Sequence, residues 1–108
     1  MNFPNDENGD ILRKMSERGD DLSKSREIDF YFAFPDEHHA KNFAEQVRVT
    51  MDLTSEVARY EERNMWEATV SKEMVPTHRG ITDLESSLSQ IAQLHDGEAD
   101  GWGCFKTT

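Results

Sequence analysis

The polarity pattern of this chain predicts an α+β protein with one antiparallel sheet and three helices. Two segments, Ile28–Phe34 and Met65–Met74, alternate apolar and polar side chains, which is typical of strands with one buried face. Other segments repeat apolar side chains every three or four positions, as amphipathic helices do. With the turn and cap signals between them, these patterns predict the order helix, strand, helix, strand, strand, helix, strand.

A short helix is predicted near the N-terminus, from Asn8 to Gly19. Asp10 is placed to cap its start, and Gly19 is placed to end it in a left-handed turn. The apolar stripe of this helix consists of Ile11, Leu12 and Met15. A polar acidic connection then leads to the first strand.

The first strand, Ile28–Phe34, is the clearest in the chain. One side carries Ile28, Phe30, Phe32 and Phe34, and the other carries Asp29, Tyr31 and Ala33. The next three residues, Pro35-Asp36-Glu37, are predicted to open a helix, because proline has no amide hydrogen and carboxylates favour the positive end of the helix dipole. We expect this helix to run to about Val49. Its buried face would consist of Ala40, Phe43, Ala44 and Val47.

A hairpin is predicted in the middle of the chain. Its first strand, Thr50–Tyr60, is weakly patterned, with apolar residues Met51, Leu53 and Val57. Residues Glu61–Asn64 are predicted to form the turn. The second strand, Met65–Met74, places Trp66, Ala68 and Val70 on one side and Glu67, Thr69 and Ser71 on the other.

The third helix is predicted to begin at Thr82, after a break at Pro76–Gly80. Thr82 and Glu85 match a capping box, in which the hydroxyl and the carboxylate satisfy each other's free amides. Gly97 is placed to terminate this helix. Its apolar stripe consists of Leu84, Leu88, Ile91, Ala92 and His95, and a short last strand is predicted at Asp100–Phe105.

After the first helix, the remaining six elements follow the split βαββαβ order of ferredoxin-like folds. In that topology the first and third strands are central neighbours, and the two cleanest alternations fall on these two strands. If two helices cover the phenylalanine face, the opposite face is polar and partly acidic. That face is then solvated, covered by the N-terminal helix, or used for binding.

Length and charge exclude several classes of function. The chain has 108 residues, with 22 acidic and 12 basic side chains and a formal net charge of -10. A chain of this length buries enough surface for one core, so a single domain spanning residues 1–108 is predicted. The acidic excess would repel nucleic acids and anionic membranes, so binding to either one directly is not expected.

The few candidate catalytic and metal-binding residues favour ordinary structural roles. Cys104 is the one cysteine, so no internal disulfide forms, and no secretory signal or membrane-spanning apolar run is visible. These features predict a cytoplasmic protein. The histidines lack metal-ligand spacing, and Cys104 is more simply interpreted as a buried strand residue than as a nucleophile. We therefore expect no catalytic residue, no metal and no cofactor.

Four motifs, taken together, resemble one known family over nearly the whole chain. They are Phe3-Pro4-Asn5-Asp6 with Gly9-Asp10, Ile28-Asp29-Phe30 leading to Phe34-Pro35, Met74-Val75-Pro76-Thr77-His78 with Ile81-Thr82, and Asp100-Gly101-Trp102-Gly103-Cys104-Phe105. In this order and spacing they resemble the regulator of ribonuclease E activity B family. The resemblance implies a small, acidic, ferredoxin-like bacterial protein that binds the non-catalytic part of ribonuclease E and reduces RNA cleavage.

The leading hypothesis is a non-enzymatic modulator of RNA turnover whose carboxylates bind a basic protein segment, which the resemblance implies is the non-catalytic region of ribonuclease E. The candidate partner-binding residues are Asp6, Asp10, Asp20, Asp21, Asp29, Asp100 and Trp102. Two alternatives stay open. One is a small ligand-binding or enzymatic domain with a pocket near His78 and Trp102, and the other is a homodimer that pairs through the open sheet face.

Overall fold

A four-stranded antiparallel sheet and three α-helices form the structure, a computed structural model that describes residues 3–107. The elements in chain order are α1 Glu7–Glu17, β1 Arg26–Phe34, α2 Glu37–Met51, β2 Ser55–Tyr60, a one-turn 3-10 helix Glu61–Arg63, β3 Met65–Met74, α3 His78–Leu94 and β4 Glu98–Cys104. The predicted bounds of β3 are confirmed.

The sheet has the strand order β2-β3-β1-β4, so β1 and β3 lie side by side at its centre. Phe30 of β1 is paired with Val70 of β3 on one side and with Trp102 of β4 on the other. The register of β1 against β4 shifts between Phe30 and Phe32. Gly101 lies in this irregular stretch with φ +101, a backbone conformation that residues other than glycine rarely adopt.

The core lies on the phenylalanine face of β1, as the alternation predicts. Phe30, Phe32 and Phe34 are buried there. Phe43 of α2 packs against the last two rings, with ring centroids 5.2 Å from Phe32 and 4.9 Å from Phe34. The same cluster includes Leu12 of α1, Val47 of α2, Ala68 and Val70 of β3, and Leu84 and Leu88 of α3.

Helix α1 begins earlier than the sequence suggests, and the prediction that Asp10 caps it is wrong. The Asp6 carboxylate is the cap and accepts a hydrogen bond from the Gly9 amide at 2.8 Å. Asp10 lies inside the first turn and pairs with Arg13 instead. Sequence alone does not distinguish the two, because Asp is a favoured cap residue at either position. Gly19, beyond the helix, adopts φ +85 as predicted for a left-handed turn.

Helix α3 also begins earlier than predicted, at His78 rather than Thr82. The Thr77 hydroxyl caps it by accepting a hydrogen bond from the Gly80 amide at 3.0 Å. The capping-box prediction for Thr82 and Glu85 is therefore wrong. Because these residues are three apart on a helix, they share one face, and both accept hydrogen bonds from the Asn8 side chain of α1.

Helix α2 continues to Met51, so the prediction of a strand from Thr50 is wrong for its first five residues. Asp52 adopts the left-handed conformation, and its amide closes the helix onto the Arg48 carbonyl. Strand β2 then begins at Ser55. The hairpin between β2 and β3 is confirmed; the 3-10 turn forms its loop, and Asn64 is left-handed with φ 51.

Gly97 lies just beyond the end of α3, where the backbone passes close to Phe34. The helix ends at Leu94, and Asp96 rather than Gly97 takes the left-handed conformation, with φ 59. A methyl group on Gly97 would collide with the Phe34 ring. The glycine is therefore required for the approach of the chain to the core rather than for the turn.

We predict that Phe43→Ala lowers the free energy of unfolding by about 3–5 kcal/mol, because it leaves a cavity between α2 and the phenylalanines of β1. Urea unfolding followed by circular dichroism measures this change. Phe105→Ala is the matched control, since that side chain is 91% exposed and its removal should change stability by less than about 0.5 kcal/mol. Equal effects of the two substitutions would contradict the assigned core.

Candidate functional site

The face of the sheet opposite the core is polar and acidic, and we call it the open face. Strand alternation places on it Glu27, Asp29, Tyr31 and Ala33 of β1, Glu56, Ala58 and Tyr60 of β2, Met65, Glu67, Thr69, Ser71 and Glu73 of β3, and Glu98 of β4; Asp100 of β4, at the register shift, joins them through Arg63, which also pairs with Glu98. No strand position of this face carries Lys or Arg within the described residues. Seven of these side chains are carboxylates, which gives the face a strongly negative potential.

Helix α1 lies on the core side of the sheet and does not cover the open face. Its Leu12 is fully buried in the core, and its Asn8 contacts Trp102, which pairs across the sheet with the core residue Phe30. The face is therefore not covered by the N-terminal helix, and it is either solvated or used for binding.

The centre of the open face is partly shielded from water. Asp29 accepts a hydrogen bond from the Ser71 hydroxyl at 2.6 Å, across the β1–β3 pair. Partial burial raises the pKa of the neighbouring Tyr31 phenol, and the negative charges of Asp29 and Glu67 add to the effect. The tyrosine therefore stays protonated and presents an aromatic ring between carboxylates.

At one end of the open face, several carboxylates surround Arg63. The guanidinium of Arg63 lies 3.3 Å from Glu98 and 3.2 Å from Asp100. Burial raises the pKa of Glu67, and the charge of Asp100 raises it further, while Arg63 acts in the opposite direction. The pKa of Glu67 is thus raised even with a cation nearby.

Three of the predicted partner-binding aspartates lie outside the sheet, in α1 and the loops. Asp6 caps α1 and also accepts from the His78 ring at 2.8 Å; the Gly9 amide, followed by His78, lowers its pKa. Asp10 pairs with Arg13 at 2.6 Å. The hydroxyl and amide of Ser23 lower the pKa of Asp21. The structure brings Asp29 and Asp100 to the open face but leaves these three elsewhere.

Asp20 is the buried member of the predicted set. It is 9% exposed, and its two carboxylate oxygens accept from one Arg26 nitrogen at 2.7 and 2.8 Å. Arg26 is 7% exposed and also donates to the carbonyl oxygens of Asp21 and Lys24. The Thr107 amide donates to Asp20 as well, so this pair fastens the C-terminal segment to the loop before β1.

Trp102 is half-buried on the core face of β4. Its indole N–H donates to the Asn8 side-chain oxygen at 2.9 Å, and the Asn8 amide group donates to Thr82 and Glu85. The sequence analysis missed Asn8. The available signal was its position, because Asn8 shares the helical face of Leu12 and is the polar residue where the apolar stripe begins.

His78 and Trp102 line separate depressions rather than one pocket. A cavity of about 530 Å³ between α1, α3 and β4 is lined by residues that include Ile11, Thr82, Ser86 and Trp102. A second cleft, of about 370 Å³, is lined by Phe3, Pro4, Leu22, Ser23, Val75, Pro76, Thr77 and His78. The two share no lining residue, so the alternative of one pocket formed by both residues is wrong.

The described residues were also compared with what a cysteine nucleophile or a metal site requires. Burial raises the pKa of the Cys104 thiol, although Arg26 partly offsets this, so the thiolate is disfavoured. No group of three or more His, Cys, Asp or Glu within residues 3–107 is arranged to hold a metal ion. Among the same residues, no helix has the length and apolar character that crossing a membrane requires.

We predict that Asp20→Ala lowers the free energy of unfolding by about 3–5 kcal/mol, because it leaves the Arg26 charge buried without its partner. Chemical unfolding monitored by tryptophan fluorescence measures the loss. Asp21→Ala is the control, since it removes a neighbouring carboxylate, which accepts exposed hydrogen bonds from the Ser23 hydroxyl and amide, and should cost much less. If the two variants were equally stable, Asp20 would not be a structural residue.

We predict that Glu67→Gln stabilises the protein at neutral pH. The pKa of Glu67 is raised above its ordinary value of 4.5, so the folded state disfavours the charged form, and the wild type loses stability as the pH rises through and above 4.5. The advantage of the variant should therefore shrink as the pH falls below 4.5. Thermal unfolding across this pH range measures it. Glu45→Gln should not stabilise, because Arg48 lowers the pKa of Glu45; a stabilising effect of both variants would contradict the assignment.

Comparison with known proteins identifies the family. No protein with a curated description matches the chain. A family model described as regulator of ribonuclease activity B matches residues 5–104, which include every helix and strand described above. The chain therefore belongs to the regulator of ribonuclease activity B family.

Proposed function

We propose that this protein is a non-enzymatic modulator that binds a Lys- and Arg-rich segment of a ribonuclease, the non-catalytic region of ribonuclease E, and reduces RNA cleavage. Membership of a family described as regulators of ribonuclease activity supports this proposal. The observation that carries it is the open face, where seven carboxylates occupy strand positions and no Lys or Arg does, within the described residues.

The charge distribution favours a protein partner over RNA. A net charge of -10 repels a phosphate backbone, whereas nucleases that bind RNA need basic segments to hold it. An acidic surface can compete with RNA for such a segment, and attraction between opposite charges also accelerates association. In this proposal, the protein acts on RNA turnover in the cytoplasm without touching RNA.

The predicted residues take different parts in this proposal. Asp29 and Asp100 contact the basic segment directly from the open face. Asp6, Asp10 and Asp21 add to the negative potential from α1 and the adjoining loop, and Trp102 fixes α1 through Asn8. Asp20 contributes through the Arg26 pair, which holds the loop that carries Asp21.

We infer the ferredoxin-like topology for the single domain, residues 1–108. The strand order β2-β3-β1-β4 with antiparallel pairing supports it, because β1 and β3 are then the central pair. Helix α1 precedes this βαββαβ unit and contributes Leu12 to its core. The open sheet face of such a unit is available for a partner because the helices pack on the other side.

The experiment that tests this function is a binding titration with a fluorescently labelled Arg- and Lys-rich peptide from the non-catalytic region of ribonuclease E. We expect affinity to fall steeply between about 50 mM and about 300 mM salt, because screening shortens the reach of surface charges. A peptide of the same length with Gln in place of Arg and Lys serves as the control and should not bind. Affinity that does not change with salt, or no binding, would refute the proposal.

A cleavage assay extends the test to function. The protein should slow RNA cleavage by full-length ribonuclease E and have no effect on the isolated catalytic part, which lacks the proposed binding region. Equal inhibition of both forms would show that the protein acts elsewhere on the enzyme.

A further inference from the structure

Arg63 reaches across the sheet from one side to the other. It belongs to the turn between β2 and β3, whereas its two carboxylate partners, Glu98 and Asp100, belong to β4 at the opposite edge. Arg63 therefore links the β2–β3 turn to the edge strand β4. Ala33, which is paired with both Glu67 and Glu98 on the open face, is only 3% exposed although its own side chain is small. Larger side chains above it account for this burial.

The charges at this end of the open face are not balanced. Glu67, Glu98 and Asp100 bring three carboxylates, and Arg63 brings one guanidinium. The Arg63 side chain is 39% exposed, and its partners are 63% and 34% exposed. Ion pairs with this exposure contribute little to stability, so water or another cation can replace either of them at small cost.

On helices α2 and α3, by contrast, several carboxylates are paired with cations. Glu37 pairs with Lys41 and Glu45 pairs with Arg48 on α2, while Asp83 pairs with Arg79 on α3. Each of these carboxylates has a cation of its own chain one turn away. The open face differs from these helix surfaces, because none of its described strand positions carries Lys or Arg.

We propose that an arginine of the basic partner binds at the Glu67–Glu98–Asp100 end of the open face, and that Arg63 occupies this position in the unbound protein as an internal competitor. This inference rests on the proposed function and names the surface that performs it. A guanidinium is the chemistry that fits, because its planar donor fork pairs with two carboxylates at once. Further along the face, the Tyr31 ring between Asp29 and Glu67 offers a second cation a surface for cation–π contact.

The test uses the labelled peptide described above and a pair of matched variants, Arg63→Ala and Arg48→Ala. Each removes one exposed arginine that pairs with carboxylates, so the net charge changes equally. Loss of the competitor predicts that Arg63→Ala binds about two- to five-fold more tightly than Arg48→Ala, the size expected for one exposed charge pair. Affinity that is equal for both variants, or weaker for Arg63→Ala, would overturn the proposal.

A second pair of variants tests the surface itself. The double substitution Glu67→Gln with Asp100→Asn should weaken peptide binding about ten-fold, whereas Glu37→Gln with Glu45→Gln, which makes the same charge change on α2, should weaken it about two-fold or less. If the wild type binds with strong salt dependence and both pairs weaken binding equally, the proposed function stands and the assigned surface is wrong. If the wild type does not bind, both fail. Circular dichroism of each variant verifies that the fold is kept.

Discussion

The two-residue periodicity of β1 is the constraint on which the rest of the molecule depends. Since β1 pairs with β3 on one side and β4 on the other, each of its side chains has only two directions to take. Phe30, Phe32 and Phe34 take one of them and hold α2 through Phe43. Asp29 and Tyr31 take the other and form the centre of the open face. A shift of one residue in register would exchange these two sets, so core and binding surface are specified together.

Sequence predicts the elements whose pattern is set by burial alone. The alternation in Met65–Met74 and the phenylalanine series of β1 are unambiguous. If the two faces of either strand were exchanged, charged side chains would be buried in the core. Helix starts are harder, since Asp6 and Asp10, or Thr77 and Thr82, carry equivalent local signals. In the structure both Asn8 and Thr82 lie inside helices, and the Asn8 side chain donates a hydrogen bond to the Thr82 hydroxyl, a contact between elements that is not visible locally.

For the candidate site, the sequence predicts the negative charge but not which carboxylates come together. Composition gives the acidic excess, and strand alternation places Asp29 on the polar face. Nothing local distinguishes Asp20 from Asp21, yet one is buried against Arg26 and the other bonds to Ser23 near the surface. The difference comes from the C-terminal segment, whose Thr107 amide reaches Asp20 from 87 positions away. Arg63 was hidden for the same reason, because its partners are 35 and 37 positions away.

The unbalanced charge of the open face has a consequence for contact between two copies of this protein. An uncovered sheet face can pack against a second sheet, and Tyr31, Ala58 and Met65 are side chains of this face that carry no charge. Two open faces brought together would oppose seven carboxylates with seven more, and the repulsion between them would disfavour that contact. The charge that would attract a basic partner would thus also oppose stacking of this sheet on a second copy of itself.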